Sequence, residues 1–283
     1  MLPVATTICS KGRLLDLSKP VVMGILNATP DSFYNKGQDS ELLPLLRNAE
    51  LMLKQGASIL DIGGASTKPG EPLINADAEL QRVMPVVEEL HKHFPDAWLS
   101  IDTYNAKVAR HAVEGGVDIV NDVSGARFDQ EMLQTVAALK VPYIAMHMQG
   151  TPETMQRNPD YNDAVTEVRD HLRSLADACM TMGINDIIID PGFGFGKTVE
   201  HNFQLLNSLH TFRMSGRPIL AGISRKSMVC KALHVNPEQA LNGTTALHVV
   251  ALQQGASILR VHDVKEAMEV IQLMGYITGF GGN

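Results

Sequence analysis

The 283-residue chain contains no apolar run near the eighteen or so residues that a membrane-spanning helix needs. Cysteine is scarce: Cys9, Cys179 and Cys230 are scattered and odd in number, so a disulfide framework is excluded and idle thiols in a reducing compartment are expected. No His, Cys or Asp set has zinc-site spacing. No Walker sequence and no Gly-x-Ser-x-Gly nucleophile elbow is present, which argues against a nucleotide loop and against covalent serine hydrolysis. The first ten residues, Met1 to Ser10, lack the basic stretch and apolar core of a secretory leader, so a cytoplasmic location is expected. Positive charge is also in deficit: 24 Lys and Arg stand against 31 Asp and Glu, a net charge of −7, which argues against a nucleic-acid surface. An anionic substrate must therefore be drawn in by a local basic patch.

What is present is enough apolar sequence for a large core, with 45% hydrophobic and 19% charged residues. Fourteen methionines read mostly as core filler. Residues Thr6 to Leu17 form two short extended pieces around Lys11-Gly12-Arg13, a hairpin placed to cap the bottom of the downstream fold. Beyond it, short β-branched runs alternate with helical patterns. The runs are Val21–Leu26, Ser58–Ile62, Trp98–Asp102, Asp118–Asn121, Pro142–His147, Ile187–Asp190, Pro218–Ile223 and Ser257–His262. The helices are expected over about 41–55, 76–93, 105–114, 130–139, up to 182, 199–212, two stretches ending near 254, and one ending near 275. Strict alternation predicts a parallel sheet, and eight units in about 255 residues predict a single closed (β/α)₈ TIM barrel spanning residues 1–283.

The stretch Ile187-Ile-Ile-Asp190-Pro-Gly192-Phe-Gly194-Phe195-Gly196-Lys197 focuses the chemistry. A strand buried on both faces delivers a carboxylate to its tip and opens at once into a glycine-rich turn. The glycines are expected to let backbone approach whatever Asp190 holds. Other strand ends carry Asn27, Asp61, Asp102, Asn121, His147, Lys226, Arg260 and His262, all directed at one mouth of the barrel. Helix capping accounts for one such residue, and for Asp61 it competes evenly with a site role; it does not account for polar groups at nearly every strand end. Asp102, Asn121 and Asp190 suit a flat, donor-rich heterocycle. Lys226 supplies a donor for a ring carbonyl and offsets the buried carboxylates. Arg260 and His262, two apart on the last strand, share a face and with Asn27 make a place for a phosphate-type anion. Two long loops, from Asn27 to about Gln38 and from Gly63 to about Asn75, are candidate lids.

At these residues the sequence resembles the dihydropteroate synthase family. The resemblance is carried in order by Gly24-Ile-Leu-Asn27-Ala-Thr29-Pro30-Asp31-Ser32-Phe33, Asp61-Ile-Gly63-Gly64-Ala65-Ser66-Thr67-Lys68-Pro69-Gly70, Ser100-Ile-Asp102-Thr103 and Asn121-Asp122-Val-Ser124-Gly125. Met146-His147-Met148, the Asp190–Lys197 stretch, Gly222-Ile-Ser224-Arg225-Lys226-Ser227 and Arg260-Val-His262 complete it. It implies condensation of a dihydropterin diphosphate with para-aminobenzoate, sulfonamides as competitors, and a homodimer. It implies pterin contacts at Asp102, Asn121, Met146, Asp190, Phe195, Gly222 and Lys226, with Asp102, Asp190, Lys226 and Arg260 carrying catalysis. It implies a diphosphate site at Asn27, Thr67, Arg260 and His262, with Mg²⁺ beside Asn27, and an aminobenzoate site at Phe33, Thr67, Pro69, Phe195, Lys226 and Ser227. Three loop positions depart from the family pattern: Asn35, Ala65 and Lys68 stand where Asp, Glu and Arg are usual. A pterin-barrel methyltransferase and a non-catalytic pterin-binding paralogue are the alternative readings.

Overall fold

The computed structural model describes residues 4–28, 39–65, 70–155 and 159–279. It begins with an antiparallel hairpin, β1 (Thr7–Ser10) and β2 (Arg13–Asp16), turned by Lys11 and Gly12, both at positive φ as a two-residue hairpin loop requires. Strands and helices then alternate: β3 (Val21–Asn27), α1 (Asp39–Lys54), β4 (Ile59–Gly63), α2 (Ala76–His93), β5 (Trp98–Asp102), α3 (Ala106–Glu114), β6 (Ile119–Asp122) and α4 (Met132–Leu139). They continue as β7 (Tyr143–Met146), α5 (Ala164–Thr181), β8 (Ile187–Asp190), α6 (Val199–Asn207), β9 (Leu220–Ala221), α7 (Ser227–Leu233), α8 (Leu241–Gln253), β10 (Ile258–Val261) and α9 (Val264–Thr278). The eight strands from β3 onward pair in parallel in the order β8-β7-β6-β5-β4-β3-β10-β9, and a bridge between Ile189 and Ile219 closes the ring. The TIM barrel expected from the alternation is the fold observed.

Side chains alternate across each strand, and the two faces meet different neighbours. Outward residues such as Val22, Leu60, Leu99, Val120, Tyr143, Ile187 and Leu259 pack under the helices. Inward, each of the eight strands gives one residue to an apolar floor: Met23, Ile59, Trp98, Ile119, Ile144, Ile188, Leu220 and Ile258. The hairpin closes that floor from below with Ile8 and Leu15, joined by Leu17. Polar contacts fix the plug: the Arg13 guanidinium lies 5.3 Å over the Trp98 ring and donates to the Asp96 carbonyl at 2.6 Å, and Lys11 donates to the Val113 carbonyl at 2.7 Å.

Two elements differ from the sequence reading. The helix expected over 199–212 stops at Asn207, and a 3₁₀ helix, Leu209–Ser215, follows. Thr211 and Ser215 each turn a hydroxyl back onto the carbonyl three residues earlier, which competes with α-helical bonding. The strand expected over 218–223 keeps only Leu220 and Ala221 in the regular ladder. Pro218 has no N–H to give, and the Ile219 carbonyl is shared between the amides of Ser257 and Ile258. Among the described residues no helix is long and apolar enough to cross a membrane.

Candidate active site

The site is the next inward layer of the barrel. Two residues beyond each floor residue the strand returns to the inner face, and there stand Ile25, Asp61, Ser100, Asn121, Met146, Asp190, Gly222 and Arg260. Asn27 and Asp102 lie one further step toward the mouth on β3 and β5. The floor is apolar on every strand, and the layer above it is largely polar and nearly as buried.

Arg260 organises the β3–β6 side of this layer. Its Nε donates to Asp61 Oδ2 at 2.6 Å and its Nη2 to Asp102 Oδ2 at 2.7 Å, while Asn121 Nδ2 donates to Asp61 Oδ2 at 3.0 Å. Asp61 is wholly buried, and its place is settled: it is the counter-ion of Arg260, not a helix cap. Burial works against the charge on Arg260, but Asp61 and Asp102 together hold it above its ordinary pKa. Burial, with the nearby carboxylates of Asp61 and Glu79, pushes Asp102 up to about 7 despite Arg260. The arginine expected to face a phosphate is thus turned largely toward carboxylates, leaving the mouth less basic than the sequence suggested.

The β8–β9 side is built on the glycine-rich turn. Asp190 Oδ1 accepts the Gly192 N–H at 2.7 Å, and burial raises its pKa, opposed by the Lys226 charge. The Lys226 Nζ donates to the Phe193 carbonyl at 2.5 Å and lies 4.6 Å over the Phe195 ring. Burial lowers its pKa to about 8, opposed by Asp190. Gly222 leaves room beside it, since an added Cβ would stand 3.5 Å from Nζ. The close approach made by the turn is to the chain itself. Gly192 and Gly196 are at positive φ, and a Cβ on them would collide with the His147 carbonyl and the Gln149 carbonyl, respectively. His147, expected at the mouth, is instead buried behind the turn, with Nδ1 3.0 Å from the Lys197 Nζ.

Met146 and the half-buried Phe195 pack with Tyr104, Phe128 and Ala65 into an apolar wall beside the polar layer. At the rim, Asn27, His262 and Ser227 are exposed. His262 Nδ1 meets the Ser224 hydroxyl at 3.1 Å. Partial burial at its base, with the charges of Arg260 and Arg225, lowers the His262 pKa to about 4. A two-pronged Arg225–Asp263 bridge, at 2.9 and 2.6 Å, ties the loop after β9 to the loop after β10. Phe33, Asn35, Thr67, Lys68 and Pro69 lie outside the described residues.

Sequence reasoning had no role for Lys197 and an undecided one for Asp61. Asp61 was detectable as the residue two beyond the inward Ile59. Lys197 gave no periodic signal, because it comes after the turn rather than on a strand.

Comparison with known proteins gives the family and the fold. The sequence profile of the pterin binding enzymes matches residues 23–262. Dihydropteroate synthase of Escherichia coli strain K12 is 43% identical over 267 residues, covering 94% of each chain. The Yersinia pestis dihydropteroate synthase structure with a sulfonamide drug superposes with a TM-score of 0.90 at 42% identity, covering 96% of this chain and 99% of that one. The Xanthomonas albilineans enzyme with 4-aminobenzoic acid gives 0.90 at 38% identity, over 97% and 99%.

Proposed function

We infer the chemistry of this pocket from one premise: the chain belongs to the dihydropteroate synthase family of pterin-binding enzymes. It is an enzyme of folate biosynthesis that condenses 6-hydroxymethyl-7,8-dihydropterin diphosphate with para-aminobenzoate, giving 7,8-dihydropteroate and diphosphate. The residue roles are our reading of the geometry, with the whole chain taken as one functional domain.

One observation carries the reading: three buried carboxyl groups, Asp61 and Asp190 in the layer and Asp102 one step above it, stand with two basic side chains, Arg260 and Lys226. Burial raises the pKa of Asp102 and Asp190, so their negative charge is costly without a partner. A ring rich in N–H donors supplies that partner. Asp190 takes the amino and ring N–H edge of the pterin, Asp102 and Asn121 bind its other nitrogens, and Lys226 donates to the ring carbonyl. Met146 and Phe195 cover the ring faces, and Gly222 leaves it room. The diphosphate then lies toward the rim, near Asn27, Thr67, His262 and the outer N–H groups of Arg260. Para-aminobenzoate approaches above the pterin, against Phe33, Thr67, Pro69, Phe195, Lys226 and Ser227.

The methylene C–O bond breaks with its electron pair leaving on diphosphate, and the pterin ring delocalises the electron-deficient carbon. The carboxyl groups held against the pterin favour that carbon, while Arg260 and His262 N–H groups stabilise the departing anion. The arylamine nitrogen attacks the methylene with its lone pair and releases a proton. Water competes as nucleophile and must be kept from that carbon until the amine arrives. Among the described residues no set of three His, Cys, Asp or Glu could cage a metal. The exposed amide oxygen of Asn27 fits Mg²⁺, a hard cation that keeps several waters and takes its remaining oxygens from a substrate phosphate. Bound there beside Asn27, it would neutralise charge on the leaving diphosphate.

The test is diphosphate release by the purified protein with dihydropterin diphosphate and Mg²⁺, with and without para-aminobenzoate. Release that depends on para-aminobenzoate and yields dihydropteroate is expected, with sulfonamides competing against para-aminobenzoate. Pterin binding without product would overturn the roles given to the rim. We also propose a homodimer in the cytoplasm. Leu273, Tyr276 and Ile277 expose apolar surface on α9, and Leu233 does so on α7. Light scattering that gives a monomer mass would rule the dimer out.

A further inference from the structure

The turn after β8 lies between two lysine side chains. Lys226 is on the pocket side and holds the Phe193 carbonyl. Lys197 is on the other side, 3% exposed, with three carbonyls and a ring nitrogen in reach of Nζ: Gly192 O at 2.9 Å, Phe195 O at 2.9 Å, His147 O at 3.2 Å and His147 Nδ1 at 3.0 Å. None of its bonding partners among the described residues is a carboxylate. A buried amine without an ion pair is expensive to charge, and burial, opposed by Asp190, holds the Lys197 pKa well below its ordinary value; a linear apolar side chain would fill the same volume at lower cost. The geometry gives the reason for it. The Phe195 N–H closes the turn onto the Gly192 carbonyl at 3.1 Å, and the Lys197 Nζ draws that carbonyl together with the one three residues on, that of Phe195, which fixes the curl. The carbonyl between them, that of Phe193, points the opposite way, at Lys226. The Phe195 ring leaves the same curl to cover the Lys226 ammonium. Other pins on the turn act elsewhere: Asp190 takes the Gly192 N–H, Asn202 Oδ1 takes the Gly194 N–H at 2.7 Å, and Tyr161 donates to the Gly196 carbonyl at 2.8 Å.

We propose that Lys197 is a positioning residue for the nucleophile side of the reaction: by gathering the Gly192 and Phe195 carbonyls it fixes the Phe193 carbonyl and the Phe195 ring against Lys226, and so sets the seat of the arylamine. The pterin contacts of Asp102 and Asn121 are on strands away from this curl, and Asp190 meets it only through the Gly192 N–H, whereas Lys226 and Phe195 are shared by the two substrates. The inference rests on the reading of Phe195 and Lys226 as para-aminobenzoate contacts.

The test is Lys197→Met in the full chain. Steady-state kinetics would be measured with para-aminobenzoate, and binding of dihydropterin diphosphate by calorimetry without the amine. The expected result is a rise in the para-aminobenzoate KM on the order of tenfold or more, with a clearly smaller loss of pterin affinity, because Lys226 and Phe195 also touch the pterin while its contacts on β5, β6 and β8 stay in place. A lowered melting temperature alone does not produce that split, so it separates positioning from plain stability. Unchanged para-aminobenzoate KM, or an equal loss of pterin affinity, would overturn the proposal. If Lys197→Met does not fold, Lys197→Arg decides it: the guanidinium keeps N–H donors but displaces them from the Gly192 and Phe195 carbonyls, so the same split is expected, and a normal KM overturns it. Lys226→Ala distinguishes the two levels. Normal kinetics there would remove the site reading itself, whereas a collapse there beside a normal Lys197→Met enzyme would remove only this inference.

Discussion

Two adjacent layers of one barrel interior are made by the same strands and differ by two residues in register. The lower layer, from Met23 round to Ile258, is apolar on all eight strands and is sealed by the hairpin. The upper layer replaces Ile59 by Asp61, Ile119 by Asn121, Ile188 by Asp190 and Ile258 by Arg260. Backbone geometry and depth are nearly shared, so the contrast isolates what side-chain chemistry costs and provides. The lower layer contributes stability through apolar burial and the upper layer gives part of it up in desolvated charge.

The sharpest way to break the comparison is Asp190→Asn. Turnover should fall on the order of 10²–10³-fold, while the urea midpoint stays level or rises because a buried carboxylate has been removed. A matched loss of stability would show that the upper layer is structural after all. Ile188→Ala, two residues below, should do the reverse. It should cost roughly 2–5 kcal/mol of unfolding free energy and leave the KM values of the folded enzyme unchanged.

The upper layer should also carry the pH dependence. With Asp102 near 7 and Lys226 near 8, kcat/KM should pass through a narrow optimum between those values and fall on either side. Stability has its own sign. The Asp102 pKa is raised on folding, so its contribution is fully present below the usual carboxylate range and is lost as pH rises through about 7. Urea midpoints of the native enzyme and Asp102→Asn, compared across that window, should diverge with the native enzyme weakening. The smallest effect belongs to the plug. Arg13→Ala removes a half-exposed ion pair to Asp118 at 3.6 Å and the stacking on Trp98, and should cost about 1 kcal/mol with no change in activity.

Much of this was legible in the chain. The alternation of strand and helix predicts the barrel, and helix 76–93 and the strands ending at Asp102 and Asp190 fall where periodicity puts them. Asp102, Asn121, Asp190 and Lys226 converge because strand ends converge. The illegible part depends on partners far away in sequence. Asp61 looks the same as a cap until Arg260, 199 residues on, is seen to bond it. The glycines after Asp190 read as openings for a ligand, but Gly192 and Gly196 are shaped by the carbonyls of His147 and Gln149. His147 reads as a mouth residue because it ends a strand, and only the buried Lys197 explains why it is turned away. The brevity of β9 comes from the missing amide of Pro218 and a shared carbonyl, neither of which hydrophobic patterning registers.

The pairing of β10 with β3 has a consequence for synthesis. The two strands meet in the register Ile258 with Val21, so the first strand of the ring waits for the last, roughly 240 residues later. At about 5–20 residues per second the nascent chain takes on the order of 10–50 s to deliver that partner. Through that interval β3 keeps one edge of unpaired N–H and C=O groups, open to pairing with a neighbouring polypeptide.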